Sequence, residues 1–313
     1  MPSQTKTLKN TRHLHKISDL SPAQSHEIIL KTLELKARKM SYSFENPSPI
    51  LALVFLEPST RTRFSFEMAC RRLGIETIVF SLDNSTSASK GESLHETLST
   101  ILAMCPDGLI LRSPKTAEIS AILSDLRLPF VNAGYGAEEH PTQALLDAVT
   151  IFEKRRKIKG ERVVFVGDIE HSRVANSTAQ LLISLGAEVA YCAPTEMQPQ
   201  SDLWRNLTSF SSLSDAMKWA NVCIGLRMQT ERHSASIKNF SIEKYIQNFR
   251  IDPHSVKDLA SDGLIMHPGP FVPGVDLVDE ILTDPRCMIH DQVTNGVFVR
   301  SVVIGELFGT ASV

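Results

Sequence analysis

Seven consecutive residues, Glu57-Pro58-Ser59-Thr60-Arg61-Thr62-Arg63, gather three hydroxyls and two guanidinium groups at one point of the chain. Arg61 offers a planar fork that fits phosphate oxygens. Ser59, Thr60 and Thr62 add hydroxyl donors. The apolar run 49–56 before them reads as a buried strand. Residues 64–73 after them read as a helix closed by Gly74, with Phe64 and Met68, and Ala69 and Leu73, repeating at i, i+4. The stretch therefore sits at a strand-to-helix turn. There the first helical N–H groups lack intrahelical partners, and the helix dipole favours an anion. Ser-Thr-Arg alone would read as a helix cap beside solvated arginines. The flanking elements and the positions downstream turn the reading towards an anion site.

Further along lie other residues suited to an anionic or polar ligand. The polar segment 84–93 resembles low complexity, but the helix signal that follows makes it a loop within a domain. Its Lys90, Thr86 and Ser87 suit an anion. Arg112 ends a predicted strand over 108–112, where ligands bind in open α/β sheets. His140-Pro141-Thr142-Gln143 enters a helix through Pro141, with His140 at the cap and Gln143 one turn in, so both face one point. Arg173 follows the turn Gly167-Asp168. Arg227 and Gln229 alternate at the end of a predicted strand over 221–227, which puts them on one side. His267-Pro268-Gly269-Pro270 forms a rigid turn after a strand over 263–266.

The elements that carry these residues form an α/β chain: two doubly wound parallel-sheet domains. The 313 residues suffice for two domains of about 150 residues each. The boundary is expected near Phe152, giving domains 1–152 and 153–293, with a terminal helix over about 294–313 packing back on the first. Ser21 and Pro22 start the first helix as N-cap and first helical residue. Further strands are expected over 75–80, 129–134, 162–167 and 187–192, and a helix over 172–185. A net charge of −2 gives no sign of nucleic-acid or membrane binding. No run approaches the ~18 apolar residues of a membrane span. The five cysteines are widely spaced, without C-x-x-C or a Cys/His cluster. They read as buried free thiols of a cytoplasmic protein, and no metal site is expected. The turn after the strand over 162–167 lacks G-x-G-x-x-G, so a nucleotide-binding module is disfavoured.

Taken together, Ser59-Thr60-Arg61-Thr62-Arg63, Lys90-Gly91-Glu92, Arg112, His140-Pro141-Thr142-Gln143, Gly167-Asp168 with Arg173, Arg227-x-Gln229 and His267-Pro268-Gly269-Pro270 occur in an order that resembles the aspartate/ornithine carbamoyltransferase family. The likeness is closer to its aspartate-specific branch, on Lys90, Arg227-x-Gln229 and the proline at 268. The chain departs from many relatives in Phe271-Val272-Pro273-Gly274, where an arginine is usual, and in Thr86, where serine is usual.

The resemblance implies carbamoyl transfer from carbamoyl phosphate to the α-amine of L-aspartate, a step of de novo pyrimidine biosynthesis, without metal or organic cofactor. It assigns the phosphate to Ser59, Thr60, Arg61, Thr62 and Arg112, with Lys90 and Thr86 approaching from another side. Arg61, Thr62 and His140 would polarise the carbonyl oxygen. Gln143, Gly269 and Pro270 would hold the carbamoyl NH2. Arg173, Arg227 and Gln229, together with Lys90, would hold aspartate. It further implies a homotrimer with shared sites, the Lys90 loop reaching a neighbour, and leaves regulatory chains or a dihydroorotase open as partners. Two alternatives stand beside this: a carbamoyltransferase for ornithine or an acylated ornithine, and a non-catalytic scaffold member of the family.

Overall fold

The computed structural model describes residues 13–46, 48–82, 92–136, 139–229 and 241–312. The chain divides into two compact units, Met1–Leu145 with Asn295–Val313, and Leu146–Thr294. The expected loop with Thr86 and Lys90, and most of the polar stretch after Gln229, lie outside the described residues.

In the first unit the elements run β1 (His13–Leu14), α1 (Pro22–Lys36), β2 (Ser41–Ser43), β3 (Ile50–Phe55), α2 (Thr60–Arg72), β4 (Glu76–Ser81), α3 (Leu94–Ala103), β5 (Gly108–Arg112), α4 (Ala117–Ser124), β6 (Phe130–Asn132) and the start of α5 (Pro141–Arg155). The sheet order is β1-β6-β5-β3-β4, all parallel. Parallel strands covered on both faces read as unbroken apolar runs, and β3 is such a strand, buried from Leu51 to Phe55. Ala52, Val54, Leu109, Leu111 and Phe130 pack beneath Leu98, Ile101 and Ile119 of the helices. Ser21 caps α1 as expected, accepting from the Gln24 N–H at 3.2 Å.

The second unit continues α5 and adds β7 (Arg162–Val166), α6 (Arg173–Ser184), β8 (Glu188–Cys192), β9 (Thr208–Phe210), α7 (Leu213–Trp219), β10 (Val222–Gly225), α8 (Ile242–Phe249), β11 (Leu264–Met266) and the first turns of α9 (Ile289–Phe308). Its parallel sheet runs β11-β10-β7-β8-β9. Val164, Val166, Cys223 and Ile265 form its core with Ala216 and Met217 of α7.

From Asn295 onward α9 belongs to the first unit. Arg300 is buried there, donating to Ser65 Oγ at 2.9 Å and lying over the Phe66 ring. Glu306 accepts from Lys31 and Tyr42. A short β12 (Thr310–Ser312) pairs antiparallel with β2.

Several local expectations are corrected. Helix α2 starts at Thr60, four residues early, so Arg61 to Arg63 lie in its first turn. Its buried face is Thr62, Phe66, Ala69 and Cys70, while Phe64 and Met68 are 55% and 48% exposed. Both stripes satisfy the same helical spacing, and packing chose the one holding Phe66. Cys105 is exposed and Cys287 half-buried, so only Cys70, Cys192 and Cys223 are buried thiols. Strand β10 stops at Gly225, short of Arg227.

Candidate active site

Two clusters of predicted residues form, one in each unit, both at the carboxyl ends of adjacent parallel strands. In the first unit, β3 leads through Glu57 and Pro58 to Ser59, the N-cap of α2. Ser59 has extended backbone and makes no side-chain cap. Its hydroxyl is therefore not committed to the helix end. Thr60 and Arg61 are exposed, and Thr62 is buried. Arg63 turns away: it donates to Ser81 Oγ at 3.0 Å and pairs with Glu67.

Arg112 stands beside this turn because β5 pairs with β3 in a register that sets Phe55 against Arg112. The Leu56 N–H donates to the Arg112 carbonyl at 2.8 Å, and Glu57 lies 3.6 Å from the guanidinium. One strand over, β6 ends at Asn132, whose side-chain oxygen accepts from the Gly134 and Tyr135 N–H groups. The chain then reaches His140 and Gln143 at the start of α5, both largely buried. The Gln143 N–H donates to the His140 carbonyl at 3.0 Å, so the two share one turn. Ser59 to Thr62, Arg112, His140 and Gln143 are thus set at the ends of three neighbouring strands.

In the second unit the same edge logic holds. β10 lies between β7 and β11, with Gly225 opposite Val166 and Ile224 opposite Met266. The segments leaving these strands carry Gly167 to Arg173, Leu226 to Gln229, and His267 to Pro270. Arg173 is the first residue of α6 and is 7% exposed. Ser172 caps that helix by accepting from Ala175 N–H. Gly269–Pro270 is a cis peptide bond, and the Gly269 N–H donates to His267 Nδ1 at 2.9 Å. The His267 N–H donates to Gln292, whose amide in turn donates to buried Asp147. The Phe271 ring stands edge-on to His267.

Arg227 and Gln229 lie beyond the strand, so the alternation expected for them does not apply. Instead Gln229 is held twice. Its N–H donates to Asp168 Oδ2 at 3.0 Å, and its side-chain amide donates to the His171 carbonyl at 2.8 Å. Asp168 is fully buried and also bonds His171 Nδ1 at 2.7 Å. Asp276, 2% exposed, accepts from the Met228 N–H at 2.9 Å and the Val272 N–H at 2.6 Å. Burial pushes its carboxyl above the ordinary aspartate range, against the pull of those two N–H groups and of the Arg227 charge. Gly167, with φ +114°, lets the Leu226 carbonyl approach closely. His171, Asp276 and the packing role of Gly167 were missed from sequence. For Asp276 the bond to Met228 leaves no local signal, since the two lie 48 residues apart, although its bond to Val272 spans four residues.

Chemically, the first cluster offers helix N–H groups, hydroxyls and guanidinium groups to a phosphate-bearing ligand. The second offers two guanidinium groups, Arg173 and Arg227, to carboxylates.

The family profile described as the carbamoyl-P binding domain of aspartate/ornithine carbamoyltransferases matches residues 12–153, and the Asp/Orn binding domain profile matches residues 159–305. The chain is 40% identical to the aspartate carbamoyltransferase catalytic subunit of Chlorobium chlorochromatii over 263 residues, covering 82% of this chain and 84% of that one. It is 36% identical to that of Helicobacter hepaticus over 301 residues, covering 95% and 98%. Among solved structures it is similar to aspartate transcarbamoylase of Trypanosoma cruzi with N-(phosphonacetyl)-L-aspartic acid, at TM-score 0.83 and 26% identity, covering 96% and 97%. The same enzyme with carbamoyl phosphate and aspartate matches at TM-score 0.82, covering 94% and 96%.

Proposed function

The chain belongs to the aspartate/ornithine carbamoyltransferase family, and on that premise we propose that it transfers the carbamoyl group of carbamoyl phosphate to the α-amine of L-aspartate. The products are N-carbamoyl-L-aspartate and phosphate, in de novo pyrimidine biosynthesis. One N–C bond forms, the C–O bond to phosphate breaks, and the amine proton leaves to phosphate or water. The anhydride-like donor is already activated, so the protein contributes positioning and charge stabilisation.

Ser59, Thr60, Thr62 and the first N–H groups of α2 receive the phosphate, with Arg61 and Arg112 as its cations. Lys90 and Thr86 are assigned to it from the resemblance. Arg61, Thr62 and His140 stabilise the carbonyl oxygen as it gains charge. Gln143, Gly269 and Pro270 hold the carbamoyl NH2. Arg173 and Arg227 pair with the two carboxylates of aspartate, and Gln229 orders the segment beside them.

The observation that carries aspartate over ornithine is the Arg173 and Arg227 pair at neighbouring strand ends of the second unit. A cationic ornithine side chain would meet like charge there. Phosphate release measured with aspartate, ornithine or an acylated ornithine as sole acceptor tests the choice. Saturable release with aspartate alone supports it, and turnover with either ornithine overturns it.

The assembly is proposed to be a homotrimer with shared sites in a cytoplasmic setting. The exposed apolar residues Phe64 and Met68 of α2, and Ile78 and Val79 of the edge strand β4, support a covering copy of the chain. Mixing Lys90→Ala and Arg61→Ala subunits tests the sharing. Partial recovery of activity supports it, and none despite subunit exchange argues against it.

A further inference from the structure

Arg227 and Gln229 are separated by one residue, and that residue is an anchor. Met228 is 3% exposed, and its side chain packs in a small cluster with Met197 and Tyr245, flanked by Phe249 and Val275. Its N–H is held by Asp276 Oδ1. The other oxygen of the same carboxylate holds the Val272 N–H. Val272 lies two residues after Pro270, on the turn that carries His267-Pro268-Gly269-Pro270. A single buried side chain thus links two backbone segments that come from different strands, β10 and β11.

A carboxylate is the one common side chain of this size with two acceptor oxygens and no donor. An asparagine accepts through one oxygen only. Its NH2 would face the other backbone N–H, donor against donor, and leave a buried amide unsatisfied. Burying a charge here opposes stability, because desolvation disfavours the ionised form. The compensation lies in two charge-assisted bonds and the nearby Arg227 charge. Charge-assisted bonds are short and directional, which suits a group that fixes position.

We infer that Asp276 is a positioning residue for the amino-acid site, tying the Arg227–Gln229 segment to the His267–Pro270 turn so that the two move as one body. It touches neither substrate; it acts through the backbone of Met228 and Val272. The inference rests on the assignment of Arg227 to a carboxylate of aspartate. Asp168 serves the same segment one residue later, through the Gln229 N–H.

The test is Asp276→Asn, with aspartate saturation measured at saturating carbamoyl phosphate. The aspartate KM rises ~10-fold or more, because a misplacement near 1 Å costs up to ~10². The Kd for carbamoyl phosphate, measured without aspartate, rises by a smaller factor than the aspartate KM, because only the NH2 contacts assigned to Gly269 and Pro270 lie on the tied turn. A purely structural role would instead lower the active fraction, reducing kcat at unchanged KM. A folded Asp276→Asn with wild-type aspartate KM overturns the inference while wild-type turnover with aspartate leaves the functional reading standing.

A second measurement needs no variant. In residue-resolved hydrogen exchange of the wild-type protein, the Met228 and Val272 amides should share one protection factor and rise together on adding succinate, an unreactive dicarboxylate. Protection of Met228 that rises while Val272 is unmoved overturns the link, whichever amino acid proves to be the substrate.

Discussion

Gly167→Ala tests whether packing at a strand end sets the amino-acid site. Gly167 follows β7 with φ +114°, and a Cβ there would lie 2.7 Å from Tyr245 Oη and 2.8 Å from the Leu226 carbonyl oxygen. Favourable carbon contacts lie at about 3.5–4.0 Å, so the carbonyl would retreat by roughly 0.7 Å. Tyr245 is 1% exposed and has little room to yield. Leu226 is bound to β7 by its N–H, at 2.8 Å from the Val166 carbonyl, so the displacement passes to Arg227. The backbone conformation costs an alanine about 1–3 kcal/mol, and the overpacking about another 1–3. Gly160→Ala is the control: φ is +75° and nothing lies within 4 Å of the added carbon, so only the backbone cost applies. Urea denaturation should show Gly167→Ala losing about twice as much as the control. Its aspartate KM should rise ~10-fold or more, with carbamoyl phosphate affinity unchanged and the control kinetically normal. Equal stability losses with a wild-type KM in both variants would refute the reasoning.

Arg61→Ala should lower kcat by ~10²–10³, as loss of an oxyanion donor does. Its denaturation midpoint should move little, since Arg61 is exposed; a folded variant within tenfold of wild-type kcat would remove it from the role. Burial pushes the Cys70 and Cys192 thiols up to about 12, and Cys223 higher still. At pH 8 a thiol reagent should therefore modify Cys105 fast, Cys287 slowly, and the other three only after unfolding, as peptide mapping would show. Asp284 is held below the ordinary carboxylate range by the Arg286 guanidinium, which donates at 2.7 and 3.0 Å. Its contribution is present above the unfolded-state pKa and lost as pH falls through the lower folded value. The stability gap between wild type and Asp284→Asn should therefore be present at pH 7 and close in acid, as urea titrations at several pH values would show.

Much of the fold was legible because its central strands are buried on both faces. The runs that became β3, β5 and β7 are continuous apolar stretches, and a half-buried antiparallel strand would have alternated. Ser21 and Pro141 announced helix starts through side-chain capping and a missing N–H, both local effects. What failed was decided by tertiary packing. Phe64 and Met68 form a helical stripe as good as that of Phe66 and Cys70, and only the neighbours of α2 distinguish them. The short α4 passed unnoticed, although Thr116 caps it through the Ile119 N–H. Arg227 reads as strand in the sequence because its apolar predecessors are strand. Strand β10 ends at Gly225, the Leu226 N–H still donates to the Val166 carbonyl, and Met228 and Gln229 then follow buried carboxylates instead. Asp276 could not be found from spacing, because a carboxylate accepting from a distant backbone N–H leaves no periodic trace.

The most direct test of the functional account is a competition. The purified chain is given carbamoyl phosphate labelled with carbon-13 in the carbonyl, with equal aspartate and ornithine, and the products are followed by NMR. One labelled product, N-carbamoyl-L-aspartate, growing in step with phosphate, is the predicted result. Label appearing on ornithine, or phosphate released at a rate indifferent to aspartate, would contradict it.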